Sequence, residues 1–147
     1  MGPSESSLGW SEMDRQHGAL FHALHVLATS PRGKVDDLRE MRRIFAVLTE
    51  HFRWEEAEMA TMGYPDRSRH VVDHQRELWS IAQLLRSLED LGELDAEALE
   101  ACDAWTHRHV ASMDSDFVQF VQDREIWELR RECMDMDYED RLAAFPA

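Results

Sequence analysis

The chain is 147 residues long, one domain's worth, and its 44% apolar and 31% charged residues exclude a disordered polymer. With 16 basic against 30 acidic residues it carries a net charge of −14, a surface that repels phosphate backbones and anionic lipid, so nucleic acid and membrane are excluded as partners. No stretch approaches the roughly 20 apolar residues of a membrane helix, the opening MGPSESSLGWSEMD lacks the segments of a signal peptide, and Cys102 and Cys133 have no CxxC or framework spacing, so reduced thiols and a cytoplasmic location are expected.

Glycine and proline are scarce, at 6 and 4, and Leu, Ala, Glu, Arg and Met abound, which favours helix. The first helical period runs from about Glu12 to Ala28, with Met13, His17, Leu20, Phe21, Leu24 and Leu27 in one stripe; Ser30-Pro31-Arg32-Gly33 ends it. The second runs from about Val35 to Met62, striped by Ile44, Val47, Leu48, His51, Trp54, Glu55, Met59 and Met62, and Gly63-Tyr64-Pro65 stops it. Asp66 is placed to cap the third, about Arg67 to Leu91, with His70, His74, Glu77, Leu78, Ile81, Leu85 and Leu88 on its inner face. The fourth starts at Asp95 and runs to about Gln122, striped by Leu99, Cys102, Thr106, Val110, Met113, Phe117 and Phe120.

Short links between long amphipathic helices imply antiparallel neighbours. The expected fold is therefore all-α, an up-down-up-down four-helix bundle over residues 1–122 with a short N-terminal arm. Residues 123–147 form an extension, in which Arg124 to Met134 is expected as a short helix and DMDYED as a solvated acidic tail. Trp54, Trp79 and Trp105 are expected in the core.

All four helices carry a histidine on or flanking the stripe, and three also carry an acid there. One histidine on an apolar face is ordinarily a hydrogen-bonded core residue, but four helices aiming imidazoles inward would leave unpaired polar groups costing roughly 1–3 kcal/mol each. A metal centre removes that cost, because imidazole nitrogens and carboxylate oxygens then converge on one ion. His70 and His74, four apart, share a face, and His51 and Glu55 repeat the spacing on the neighbouring helix. Glu56 lies some 140° round from His51 and reads as a surface acid; Glu58 returns to the face but about 10 Å along the axis.

On the fourth helix periodicity leaves the choice open. His109 and Asp114 fall on opposite flanks of the stripe, about 70° from its centre, while His107 is about 90° off and would share a side with Asp114. On the first helix His17 is central, His25 marginal and His22 outward. Five imidazoles and two carboxylates are too many for one ion and suit two. With three histidines on one ion and two on the other, the second keeps an open position, and such a set suits redox-active iron better than zinc.

The blocks MDRQHGALF, HFRWEEAEM, MGYPDRSRHVVDHQ and WTHRHVASMDSDF resemble the ligand helices of bacterial hemerythrins, over roughly residues 10 to 121. HFxxEExxM followed by YP and HxxxH is the most specific part. The resemblance selects His109 over His107, since the family's last ligand helix has a histidine five before an aspartate. It implies a non-haem di-iron centre that binds O2 reversibly, with an oxo or hydroxo bridge when oxidised. His70, His74 and His109 would hold one iron, His17 and His51 the other, and Glu55 and Asp114 would bridge them.

The carboxylate-rich di-iron bundles of ferritins and oxidases place a glutamate three before a histidine, and no histidine here has one. Thr106 and Val110 are expected to line the O2 pocket. Thr106 stands where the family usually has a large aliphatic residue, and Glu77 where it more often has phenylalanine. Glu77 is read either as a boundary acid paired with an arginine or as a third carboxylate near the centre. The latter would serve an alternative function as a di-iron oxidase or peroxidase. Otherwise the expected partner is O2, carried, stored or sensed, with a separate redox or signalling protein.

Overall fold

In a computed structural model, the residues described are 7–30 and 32–135, with side chains as far as 132. Three helices, α1 (Ser11–Thr29), α2 (Lys34–Met62) and α3 (Arg67–Leu91), are followed by α4 (Ala96–His109). A π-helical turn, Val110–Asp114, then joins α4 to α5 (Ser115–Asp135), so the last three elements form one long rod. The chain is an all-α four-rod bundle. Each rod packs on two neighbours: α1 on α2 and α4, α3 on α2 and α4. Lys34 Nζ, at the start of α2, donates to the carbonyl of Glu89 near the end of α3 at 2.8 Å, as antiparallel neighbours require.

The links are legible in local chemistry. Gly63 and Gly92 adopt left-handed backbone (φ 65° and 78°), and each closes the helix before it: the Gly63 N–H donates to Ala60 and the Gly92 N–H to Leu88. The Asp95 carboxylate accepts from the Ala98 N–H at 3.0 Å and caps α4. Asp66, expected to do the same for α3, makes no side-chain cap; its backbone carbonyl accepts from His70 instead.

Residues 124 to 134 are helical, but as the continuation of the fourth rod rather than a separate element. Nothing between Glu93 and Asp135 interrupts the rod with glycine or proline, so the chain has no reason to stop at Gln122. From Gln122 to Glu132 every side chain is exposed. Pro31, the thiol of Cys133 and most of the expected DMDYED tail lie outside the described residues. Among those described, no helix is long and apolar enough to cross a membrane.

The interior has two apolar clusters. The larger gathers Leu20, Leu24, Leu27, Met41, Ile44, Leu48, Phe52, Ile81, Leu84, Leu88 and Leu99. The smaller gathers Met13, Met59, Phe117 and Val118, with Trp10, Trp54 and Tyr64 against it. In sequence, the inward histidines and acids of three rods fall between the contributions to these two clusters: His17 between Met13 and Leu20, His51 and Glu55 between Leu48 and Met59, His109 and Asp114 between Leu99 and Phe117; on α3, His70 and His74 precede Ile81 of the larger cluster. A polar layer therefore crosses the middle of the core.

Candidate metal centre

That layer holds His17, His51, Glu55, His70, His74, His109 and Asp114, none more than 5% exposed. Their ligand atoms fall into two groups. Glu55, His70, His74, His109 and Asp114 form one, and His17, His51, Glu55 and Asp114 the other, each with ligand atoms within 4.8 Å of one another. The two acids are common to both. Asp114 straddles the groups: its Oδ1 lies 2.9 Å from Nε2 of both His70 and His109, while its Oδ2 lies 2.9 Å from His17 Nε2. Glu55 Oε2 is 3.1 Å from His74 Nε2 and 3.6 Å from His51 Nε2.

The fit to metal ions rests on how these atoms face one another. The Nε2 atoms of His70 and His74 sit 3.0 and 3.2 Å from His109 Nε2, three imidazole nitrogens turned to one point. Both oxygens of Glu55, both of Asp114 and Nε2 of His17 are fully buried without a hydrogen-bond partner despite their short contacts. So many orphaned polar atoms in one dry layer would be costly, and cations among them remove the cost. The carboxylates make the same argument. Burial first, then the charge of Asp114, pushes the Glu55 carboxyl well above its usual range. Burial also acts to raise Asp114, but the close imidazoles of His109, His17 and His70 outweigh it and hold that acid well down. Two buried carboxylates this close ionise together only around positive charge.

Three imidazoles are oriented from behind. His74 Nδ1 lies 2.9 Å from Glu56 Oε1, His109 Nδ1 lies 2.7 Å from Asp73 Oδ2, and His51 Nδ1 lies 2.7 Å from Gln16 Oε1. Each partner oxygen is an acceptor, so Nδ1 carries the proton and Nε2 offers its lone pair to the layer. Burial lowers the pKa of His51 to about 3 and of His74 to about 2, with neighbouring histidines adding to the effect, so both rings stay neutral at pH 7. His109 moves the other way: burial alone would lower it, but Asp114 and Asp73 together raise it. Rings stack on the outer faces, Phe52 on His74 at 3.7 Å and Trp105 on His109 at 4.5 Å.

The π turn explains the difficulty of the fourth helix. At an α-helical 100° per residue, His109 and Asp114 diverge by about 140°. A π turn bonds each residue to the fifth along, which brings positions five apart into line, and both side chains enter the layer. His107 stays outside, 56% exposed at its side chain and stacked on Phe21 at 4.2 Å. His22 and His25 are exposed.

Several residues differ from the expectation drawn from sequence. Glu56 is not a bland surface acid but the partner of His74, and Asp73 and Gln16, which periodicity gave no reason to single out, do the same for His109 and His51. Their spacing carries the only available signal: Asp73 and Gln16 each immediately precede a ligand histidine. Glu77 is buried, lies in neither ligand group and forms no ion pair with an arginine among the described residues. It faces the Cys102 thiol, and burial raises its carboxyl to about 7 and the thiol to about 12. Thr106 and Val110 are both buried, and the Thr106 hydroxyl donates to the Cys102 carbonyl at 2.9 Å. Trp79, expected in the core, is 67% exposed.

The model of the hemerythrin HHE cation-binding domain matches residues 8–121, most of the chain and all seven layer residues; the chain belongs to that family. No curated protein and no solved structure gives a significant match.

Proposed function

From membership of a cation-binding family and the two-group geometry, we propose that this chain holds two iron ions and binds O2 reversibly, as a carrier, store or sensor. The observation that carries the reading is the division of the layer: three histidines on one side, two on the other, and two acids common to both. His70, His74 and His109 would hold one ion, His17 and His51 the other, with Glu55 and Asp114 between them. Two histidines with two shared acids leave the second ion short of a full ligand set, which is where a diatomic molecule has room. When bound, the iron pair supplies the electrons that make O2 binding possible.

The protein's own part is to orient and exclude. Glu56, Asp73 and Gln16 fix three imidazoles with Nε2 inward. The apolar clusters on either side keep bulk water from the layer, and buried Val110 narrows the space beside it. The net histidine excess supports binding over cleavage of O2, because fewer anionic ligands stabilise high-valent iron less. Glu77 lies outside both ligand groups and the Thr106 hydroxyl is held by its own helix, which supports carriage over an oxidase or peroxidase. The free, buried Cys102 supports a reducing, cytoplasmic setting.

The test is anaerobic reduction followed by air. Two irons per chain by metal analysis and an oxygenated spectrum that reverses when O2 is removed are expected. Immediate, irreversible oxidation would refute carriage, and well under two irons per chain would refute the di-iron centre.

A further inference from the structure

A second site lies beside the metal layer and apart from it. Between α3 and α4 the surface opens into a cleft of about 560 Å³, within the range of small-molecule sites. Glu77 and Cys102 line its floor, Trp105 and Ala101 one side, Trp79 and Arg108 its rim. Two features of the cleft point to a ligand. Glu77 is 2% exposed, yet its Oε1 has no hydrogen-bond partner. Trp79 presents a large aromatic surface to solvent, 67% exposed, at the mouth of the same cleft.

We propose that this cleft binds a small organic amine, with its ammonium on Glu77 Oε1 and its apolar body between the Trp79 and Trp105 indoles. The donor requirement comes from the orphaned oxygen: a buried acceptor without a partner costs free energy that an N–H at that point recovers. The positive charge comes from complementarity. Indole faces attract cations, a carboxylate at the floor adds a charge-assisted hydrogen bond, and the chain's net charge of −14 draws cations generally. Arg108 at the rim repels an ammonium, and Asp95, which also lines the cleft, offsets that charge. The inference does not rest on the O2 reading, since none of these residues belongs to either ligand group. Trp105 does connect the sites, because its ring forms the cleft wall and also stacks on His109.

The test titrates the iron-loaded full chain by calorimetry with three isosteric probes: 2-phenylethylamine, 2-phenylethanol and 3-phenylpropionate. The amine is expected to bind at least about tenfold more tightly than the alcohol, and the carboxylate weakest. In Glu77→Gln, with iron content unchanged, the amine should fall to the alcohol's affinity. Ala101→Trp, a change at an exposed position on the cleft wall, should abolish binding of both. Equal affinity for alcohol and amine, tighter binding of the carboxylate, binding that survives Ala101→Trp, or no binding at millimolar probe would each overturn the proposal.

Discussion

Replacing Glu77 by glutamine keeps the shape of the side chain and removes its titration. The carboxyl titrates at about 7 in the folded chain against 4.5 when free, because burial disfavours its charged form. As pH rises from 4.5, the unfolded chain releases this proton first, while the folded chain keeps it until about 7. Stability is therefore lost across that window and levels off above it. Linkage gives a cost of about 3 kcal/mol at pH 8 and roughly half that at pH 5.5, so about 2 kcal/mol separates the two conditions. For a domain of this size that is a shift of about 4–8 °C in Tm. Thermal melts of wild type and Glu77→Gln in one metal state, at both pH values, isolate the effect, since the other titrations cancel in the double difference. Glu77→Gln should gain on wild type at pH 8 relative to pH 5.5. The same difference at both pH values would show that the acid is hydrated or paired, and the argument from burial would fail.

The sign reverses for His51, whose folded pKa is lowered to about 3 from 6.5. Here the unfolded chain takes up the proton first as pH falls, so in the metal-free protein His51→Gln should gain about 2 kcal/mol on wild type between pH 8 and pH 5, read by denaturant unfolding. Glu56→Leu and Asp73→Leu, which remove the acceptors behind His74 and His109, should weaken metal binding by about 10–100-fold in chelator competition while the helix content stays constant. His109→Ala should lose bound iron and His107→Ala should keep it; equal loss from both would contradict the geometry of the π turn.

Much of the fold was legible because periodicity reports burial. The stripe of α3 from His70 to Leu88 and its bounds at Arg67 and Leu91 could be read directly, since one helical period covers the whole segment. The same arithmetic separated Glu55 from Glu56, and it also misjudged Glu56. A helical wheel knows which way a side chain leaves its own helix, not what a neighbouring helix puts there, and His74 reaches Glu56 from α3. Trp79 illustrates the converse. An apolar residue one position off the stripe was read as core, yet it faces solvent at a cleft whose existence depends on the spacing of two rods. The fourth rod defeated periodicity for another reason: the rule assumes one period, and Val110–Asp114 changes it.

That wide turn changes what a length difference means. Losing a residue inside a helix ordinarily swings everything beyond it by about 100°. Between His109 and Asp114 the backbone already holds one residue more than an α-helical turn requires, so removing exposed Ser112 would let the turn close to ordinary spacing. The acid would then stand four residues after His109, still on its face, with Phe117 and Val118 keeping their seats. An alignment gap at this point is compatible with an intact centre, whereas the same gap between His51 and Glu55 would rotate one of them out of it.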